Sequence, residues 1–89
     1  MNRVFLTGIA DTIPDVEYTL NHERVVTFLL RVKEGLFDID VVFFDIKGVI
    51  KPEDLVGKEL TVCGRLVKIG KEKKGMLKLE TNKILFMEE

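Results

Sequence analysis

Eighty-nine residues, 46% hydrophobic and 33% charged, suffice for one small core under a charged shell and leave no room for a second domain. No apolar run approaches the roughly 20 residues of a bilayer-spanning helix, and the N-terminus lacks the basic, apolar, small-residue order of a signal peptide. A net charge of −1 argues against a uniformly basic nucleic-acid binder, and the lone Cys63 forms no internal disulfide, as expected in a reducing cytoplasm.

In chain order, Asn2 to Ile9 reads as a first strand, with Val4, Leu6 and Gly8 on one face and Arg3, Phe5, Thr7 and Ile9 on the other. Glycine weakens a strand, so Gly8 predicts a bulge or a close backbone approach. Asp11 to His22 is a connection with a short extended piece at Val16–Thr19, bounded by Pro14 and the turn chemistry of Asn21. Arg24 to Lys33 is the central strand. Val26, Phe28, Leu30 and Val32 form an unbroken apolar face, against a mixed face of Val25, Thr27, Leu29, Arg31 and Lys33.

Lys33-Glu34-Gly35 predicts a tight hairpin into a third strand, Phe37 to Asp45. There Phe37, Ile39, Val41 and Phe43 share one face. Asp38 and Asp40 mark the other as wet, so Phe44 is expected to emerge on it as an exposed aromatic. Between Gly48 and Gly57, Pro52, Glu53 and Asp54 suit the start of a short helical turn and Gly57 suits a left-handed stop. Lys58 to Ile69 is the fourth strand, with Leu60, Val62, Gly64 and Leu66 inward and Thr61, Cys63, Arg65 and Val67 outward. Gly70 to Gly75 is a lysine-rich hairpin tip, and Met76 to Thr81 returns from it. Asn82 is expected to break the run, leaving Ile84–Met87 as an edge strand. Five strands with a short helical connection after the third is the order of an all-β, five-stranded OB-fold barrel, expected as a single domain over residues 1–89.

The near-zero net charge hides an asymmetry. Arg65, Lys68, Lys71, Lys73, Lys74, Lys78 and Lys83 face only Glu72 and Glu80 in their stretch, an excess of +5 that leaves −6 elsewhere. Such a split points to a side that faces a polyanion. Chemistry for catalysis is missing: His22 is the only histidine and sits in a polar loop, Cys63 has no nearby base, and no phosphate-cradling glycine loop occurs. Asp38 and Asp40 share a face but read as solubilising charges, so no metal, cofactor or enzymatic activity is expected.

The motifs then acquire a likeness. Met1-Asn2-Arg3-Val4-Phe5-Leu6-Thr7-Gly8, Pro14-Asp15-Val16-Glu17-Tyr18-Thr19 and Val25-Val26-Thr27-Phe28-Leu29-Leu30 resemble the opening of bacterial single-stranded DNA-binding proteins. Val41-Val42-Phe43-Phe44 resembles that family's third strand, and Gly57-Lys58-Glu59-Leu60-Thr61-Val62-Cys63-Gly64-Arg65-Leu66 its fourth. Glu17 stands where the family usually has arginine, and there is no tryptophan. The family's disordered, acidic-tipped tail is not expected, because Glu88-Glu89 directly follows the last strand, which resembles the tailless members like primosomal replication protein N.

The resemblance implies an OB-fold that assembles through its first strands into homodimers or homotetramers in the bacterial cytoplasm, on the nucleoid. Single-stranded DNA is the implied ligand, with RNA as the alternative polynucleotide and replication, repair or replication-restart proteins as further partners. From pleat and resemblance together, the binding face is expected to carry Arg3, Phe5, Arg31, Lys33, Phe44 and Arg65, with Phe44 matching a stacking phenylalanine. Lys68, Lys71, Lys73 and Lys74 would form an arm on the backbone. The competing expectation is an OB-fold protein–protein module, because Asp38, Asp40 and Asp45 near Phe44 would repel phosphates.

Overall fold

A computed structural model of the chain describes residues 1–48, 50–69 and 76–86. Six strands form one sheet: β1 (Val4–Ala10), β2 (Asp15–Tyr18), β3 (Arg24–Val32), β4 (Phe37–Phe44), β5 (Glu59–Lys68) and β6 (Leu77–Phe86). Their order is β1-β5-β6-β4-β3-β2, and a further β1–β3 pairing closes five of them into a barrel. The β4–β6 pair is parallel and all others are antiparallel. This is the expected OB-fold, with β2 added outside the barrel along β3.

The alternation read from the sequence fills the interior. Val26, Leu30, Val41, Leu60, Val62 and Leu79 are fully buried, and Phe28, Val32 and Phe43 nearly so. Pro52–Asp54 forms a single 3₁₀ turn with proline at its start, and Gly57 ends the connection at φ 75°. That turn delivers Leu55, fully buried, into one end of the barrel. The Gly57 N–H then donates to the Ala10 carbonyl at 2.8 Å, tying the plug to β1.

Closure happens at Gly8. Beside it β1, still paired with β5 as far as Ile9, reaches β3 through Ile9–Arg31 and Ala10–Leu30. A Cβ at Gly8 would fall on the Arg31 carbonyl oxygen, so the expected close approach is found and its partner is β3. Gly64 plays the same part on the other side, where a Cβ would meet the Glu80 carbonyl.

Three expectations change. Asn82 does not end the last strand: β6 runs on to Phe86, with Cys63 opposite Lys83 and Gly64 opposite Thr81, so Asn82 is squeezed out as a β-bulge. The Thr81 hydroxyl fixes the bulge by donating to the Cys63 carbonyl and accepting from the Lys83 N–H at 2.9 Å. Ile84 to Phe86 therefore pairs with β5 instead of standing as a separate edge strand. Val25, expected on the mixed face, is buried between Glu17 and Phe44 because β2 covers it, and Phe37 is exposed because it lies at the hairpin end, beyond the core.

Asp45, only 3% exposed, is held by Arg24, whose Nη1 donates to Asp45 Oδ2 at 2.5 Å and to the Ile50 carbonyl at 2.6 Å. The Ile50 N–H donates to the same carboxylate oxygen at 3.1 Å. The pair thus pins the segment after β4 to the start of β3. Removing one partner of a buried pair leaves an uncompensated charge, at a cost of about 3–5 kcal/mol. Arg24→Ala is therefore expected to lower unfolding free energy by roughly that amount in urea titration, and Arg24→Met/Asp45→Leu to recover most of it.

Candidate nucleic-acid interface

The N-terminal residues are positioned by a side chain acting as a strand. Asn2 Nδ2 donates to the Leu66 carbonyl at 2.8 Å, and Asn2 Oδ1 accepts from the Leu66 N–H at 3.0 Å. This continues the β1–β5 ladder two positions past Val4–Gly64, so Arg3 lies across from Arg65. Like charges directly opposed on neighbouring strands repel. Arg65 is partly neutralised by Glu80, at 3.1 Å from its Nη2, whereas Arg3 makes no ion pair among the described residues.

Phe44 stands at the end of this pair. Arg3, Arg65 and Phe44 line one cleft of about 380 Å3, together with Cys63 and Asn82. Phe44 is half-buried, not fully exposed, because it is the last residue of β4 with β6 beside it. On β1, Phe5 alternates to the same side as Arg3 and is 65% exposed, opposite Cys63. The fold thus brings Arg3, Phe5, Phe44 and Arg65 to one flank.

It does not bring Arg31 and Lys33 there. Arg31 pairs with Asp38 across β4, whereas Val25 is the β3 residue opposite Phe44. Six residues at about 3.3 Å each put Arg31 some 20 Å along the strand. Its guanidinium is also engaged, 2.7 Å from Asp11 and 3.6 Å from Asp38. Lys33 is exposed just beyond β3 at the same end, and Lys68 is exposed at the end of β5. Lys71, Lys73 and Lys74 lie outside the described residues.

Two cations join the flank that the sequence did not single out. On the far side of Phe44 a second cleft, about 320 Å3, is lined by Lys47, Lys83 and again Asn82. Neither lysine forms an ion pair among the described residues. Asp45 also borders this cleft, but Arg24 already holds its carboxylate, so the repulsion expected from it is largely cancelled. Lys83 belongs to the basic stretch and needed only the register of β6 to be placed; nothing in the sequence ties Lys47 to Phe44. A more voluminous cleft, about 800 Å3, opens between the β2–β3 turn and residues 45–48, with Tyr18, exposed His22 and Glu23 on its walls and Phe44 and Lys47 at its border. It shares Phe44 and Lys47 with the flank but has neither the Arg3–Arg65 pair nor the bulge, and so is the weaker candidate despite its size.

Asp15 and Asp40 are exposed and border another cleft with Thr27 and Leu29, Asp40 standing four residues before Phe44 on β4. No group of three or more metal-ligating side chains occurs among the described residues. No helix there is long and apolar enough to cross a membrane.

No protein-family model matches the sequence, and no curated protein matches it. Solved structures do. The single-stranded DNA-binding protein from Thermus aquaticus is similar at a TM-score of 0.82 and 26% identity, over 100% of this chain and 41% of that one. A Plasmodium falciparum SSB in complex with ssDNA reaches 0.74 at 16% identity, covering 99% of this chain and 96% of its own. The dimeric N-terminal domain of PriB from Thermoanaerobacter tencongensis reaches 0.73 at 22%, covering 99% and 98%. The last two are likenesses of fold; the first adds sequence, although this chain spans only about two fifths of that protein's length. With its barrel topology and opening motif, the chain is an OB-fold protein, similar along its whole length to bacterial single-stranded DNA-binding proteins and to PriB.

Proposed function

We propose that the chain, acting as one OB-fold unit over residues 1–89, binds single-stranded DNA in a sequence-tolerant way during replication, repair or replication restart. The observation that carries this reading is the pair of opposed guanidiniums, Arg3 and Arg65, beside the ring of Phe44. A cationic groove with an aromatic platform is what an unpaired strand requires, since phosphates track the charge and bases stack on the ring. Solved structures of the same fold include one in complex with ssDNA. The role is binding, without catalysis.

Phosphate contacts dominate, because Phe44 and Phe5 are the two phenylalanines with accessible rings on this flank among the described residues. Arg3, Arg65, Lys47 and Lys83 are assigned to the backbone, and Lys68 with Lys71, Lys73 and Lys74 to an arm alongside. Arg31 and Lys33, at the other end of β3, are left for a longer strand. Four groove contacts predict a log–log salt slope of about −3, and the four arm lysines carry it toward about −6, at roughly −0.7 per contact on single strands. Fluorescence anisotropy of labelled oligo-dT across a salt series measures it. A flat response would overturn the electrostatic groove, and a slope unchanged by Lys71→Glu/Lys73→Glu/Lys74→Glu would remove the arm.

Phe44→Ala tests the platform. One lost stack, worth about 1–3 kcal/mol, weakens oligo-dT binding by roughly 5-fold to 150-fold. The melting temperature should move little, since the ring is only half-buried. Unchanged affinity would place the strand elsewhere.

Self-association is part of the same proposal. On one side β1 is paired to β5 throughout Val4–Ile9, but on the other, among the described residues, only Ile9 and Ala10 are paired, to β3. The backbone of Val4 to Gly8 thus offers a free edge to a second copy. Light scattering at micromolar concentration is expected to give about twice the monomer mass; a monomer alone would refute it.

A further inference from the structure

We propose that Asn82 reads the edge of the base carried by Phe44, and that the base it favours is adenine. The inference rests on the single-strand reading above and adds to it one discriminating position in a sequence-tolerant groove.

The register places the two side chains together. β4 and β6 run parallel with Phe43 opposite Thr81, so Phe44 and Asn82 are the next residue on each strand. Asn82 borders the clefts on both sides of Phe44. Its place is held firmly: the bulge, between Cys63 and Gly64 on the facing strand, expels it from the ladder, and the Thr81 hydroxyl pins the bulge. Bulges commonly re-aim a side chain in this way.

Its carboxamide is also free to act. Asn2, the other asparagine of the cleft, has both amide groups committed to Leu66. Asn82 is exposed and makes no hydrogen bond among the described residues. A base stacked on the Phe44 ring turns its polar edge sideways, toward a neighbour on the adjacent strand. A carboxamide offers one acceptor beside two donors. Adenine sets its N6 amino donor beside the N7 acceptor, the combination that asparagine takes in bidentate fashion.

The test compares a short oligodeoxyadenylate with an oligomer of equal length built on unsubstituted purine, which stacks similarly but lacks the N6 amino group. Anisotropy is measured for both on the wild-type chain, Asn82→Ala and Phe44→Ala. The wild type is expected to bind the adenine oligomer about fivefold to tenfold more tightly, Asn82→Ala to bind both alike, and Phe44→Ala to weaken both. Asn82→Gln, which keeps the carboxamide on a longer arm, should retain part of the preference. Equal binding of the two oligomers by the wild type, or a preference that survives Asn82→Ala, would overturn the assignment while leaving single-strand binding intact. No binding of any oligonucleotide by the wild type would sink the underlying reading and this inference with it.

Discussion

Two backbone contacts without side chains between them govern the shape of this protein. At Gly8 the carbonyl of Arg31, and at Gly64 the carbonyl of Glu80, occupy the space where a Cβ would sit. A five-stranded barrel is narrow, and closing it demands sharp local bending that only glycines and bulges supply without clash. If either approach were lost, β1 could not reach β3, or β5 could not bend over β6. The buried aliphatic layer would then have no enclosure to fill.

The candidate groove follows from that closure. Because β1 must lie along β5 to reach Gly8, its first residues continue the ladder, and Asn2 seals the join through Leu66. Arg3 and Arg65 are thereby held opposite each other, a repulsive arrangement that an isolated domain gains nothing from and a polyanion relieves. The bend at Gly64 displaces Asn82 from β6, and the parallel pairing with β4 sets it beside Phe44. One geometric demand thus places the cations, the ring and the free carboxamide on a single flank.

Charge is sorted by partner more than by sign. The chain carries nearly equal numbers of cationic and acidic residues, but they are not equally available. Asp45 is buried against Arg24, and Arg31 is engaged by Asp11 and Asp38. Around Phe44, Arg3, Lys47 and Lys83 have no ion pair among the described residues, with Glu80 the one carboxylate that draws on Arg65. A net charge of −1 is therefore compatible with a locally cationic flank, because fields at a surface groove are set within about a Debye length.

The barrel was legible in the residue order. Alternation in β3 and β5 named the buried layer, Pro52 and Gly57 bounded the helical turn, and Gly8 announced a close contact, since side-chain period and backbone permissiveness are local properties. What local chemistry could not supply was pairing. Asn82 has the composition of a strand breaker, and only the opposed strand, with Gly64 and the Thr81 hydroxyl, turns it into a bulge inside a continuous β6. Arg31 and Arg65 look alike in the sequence, each an outward cation on a strand. The register alone sets one across from Asp38 and the other across from Arg3, because which residues meet is decided by how strands align in space, and a two-residue period carries no information about that.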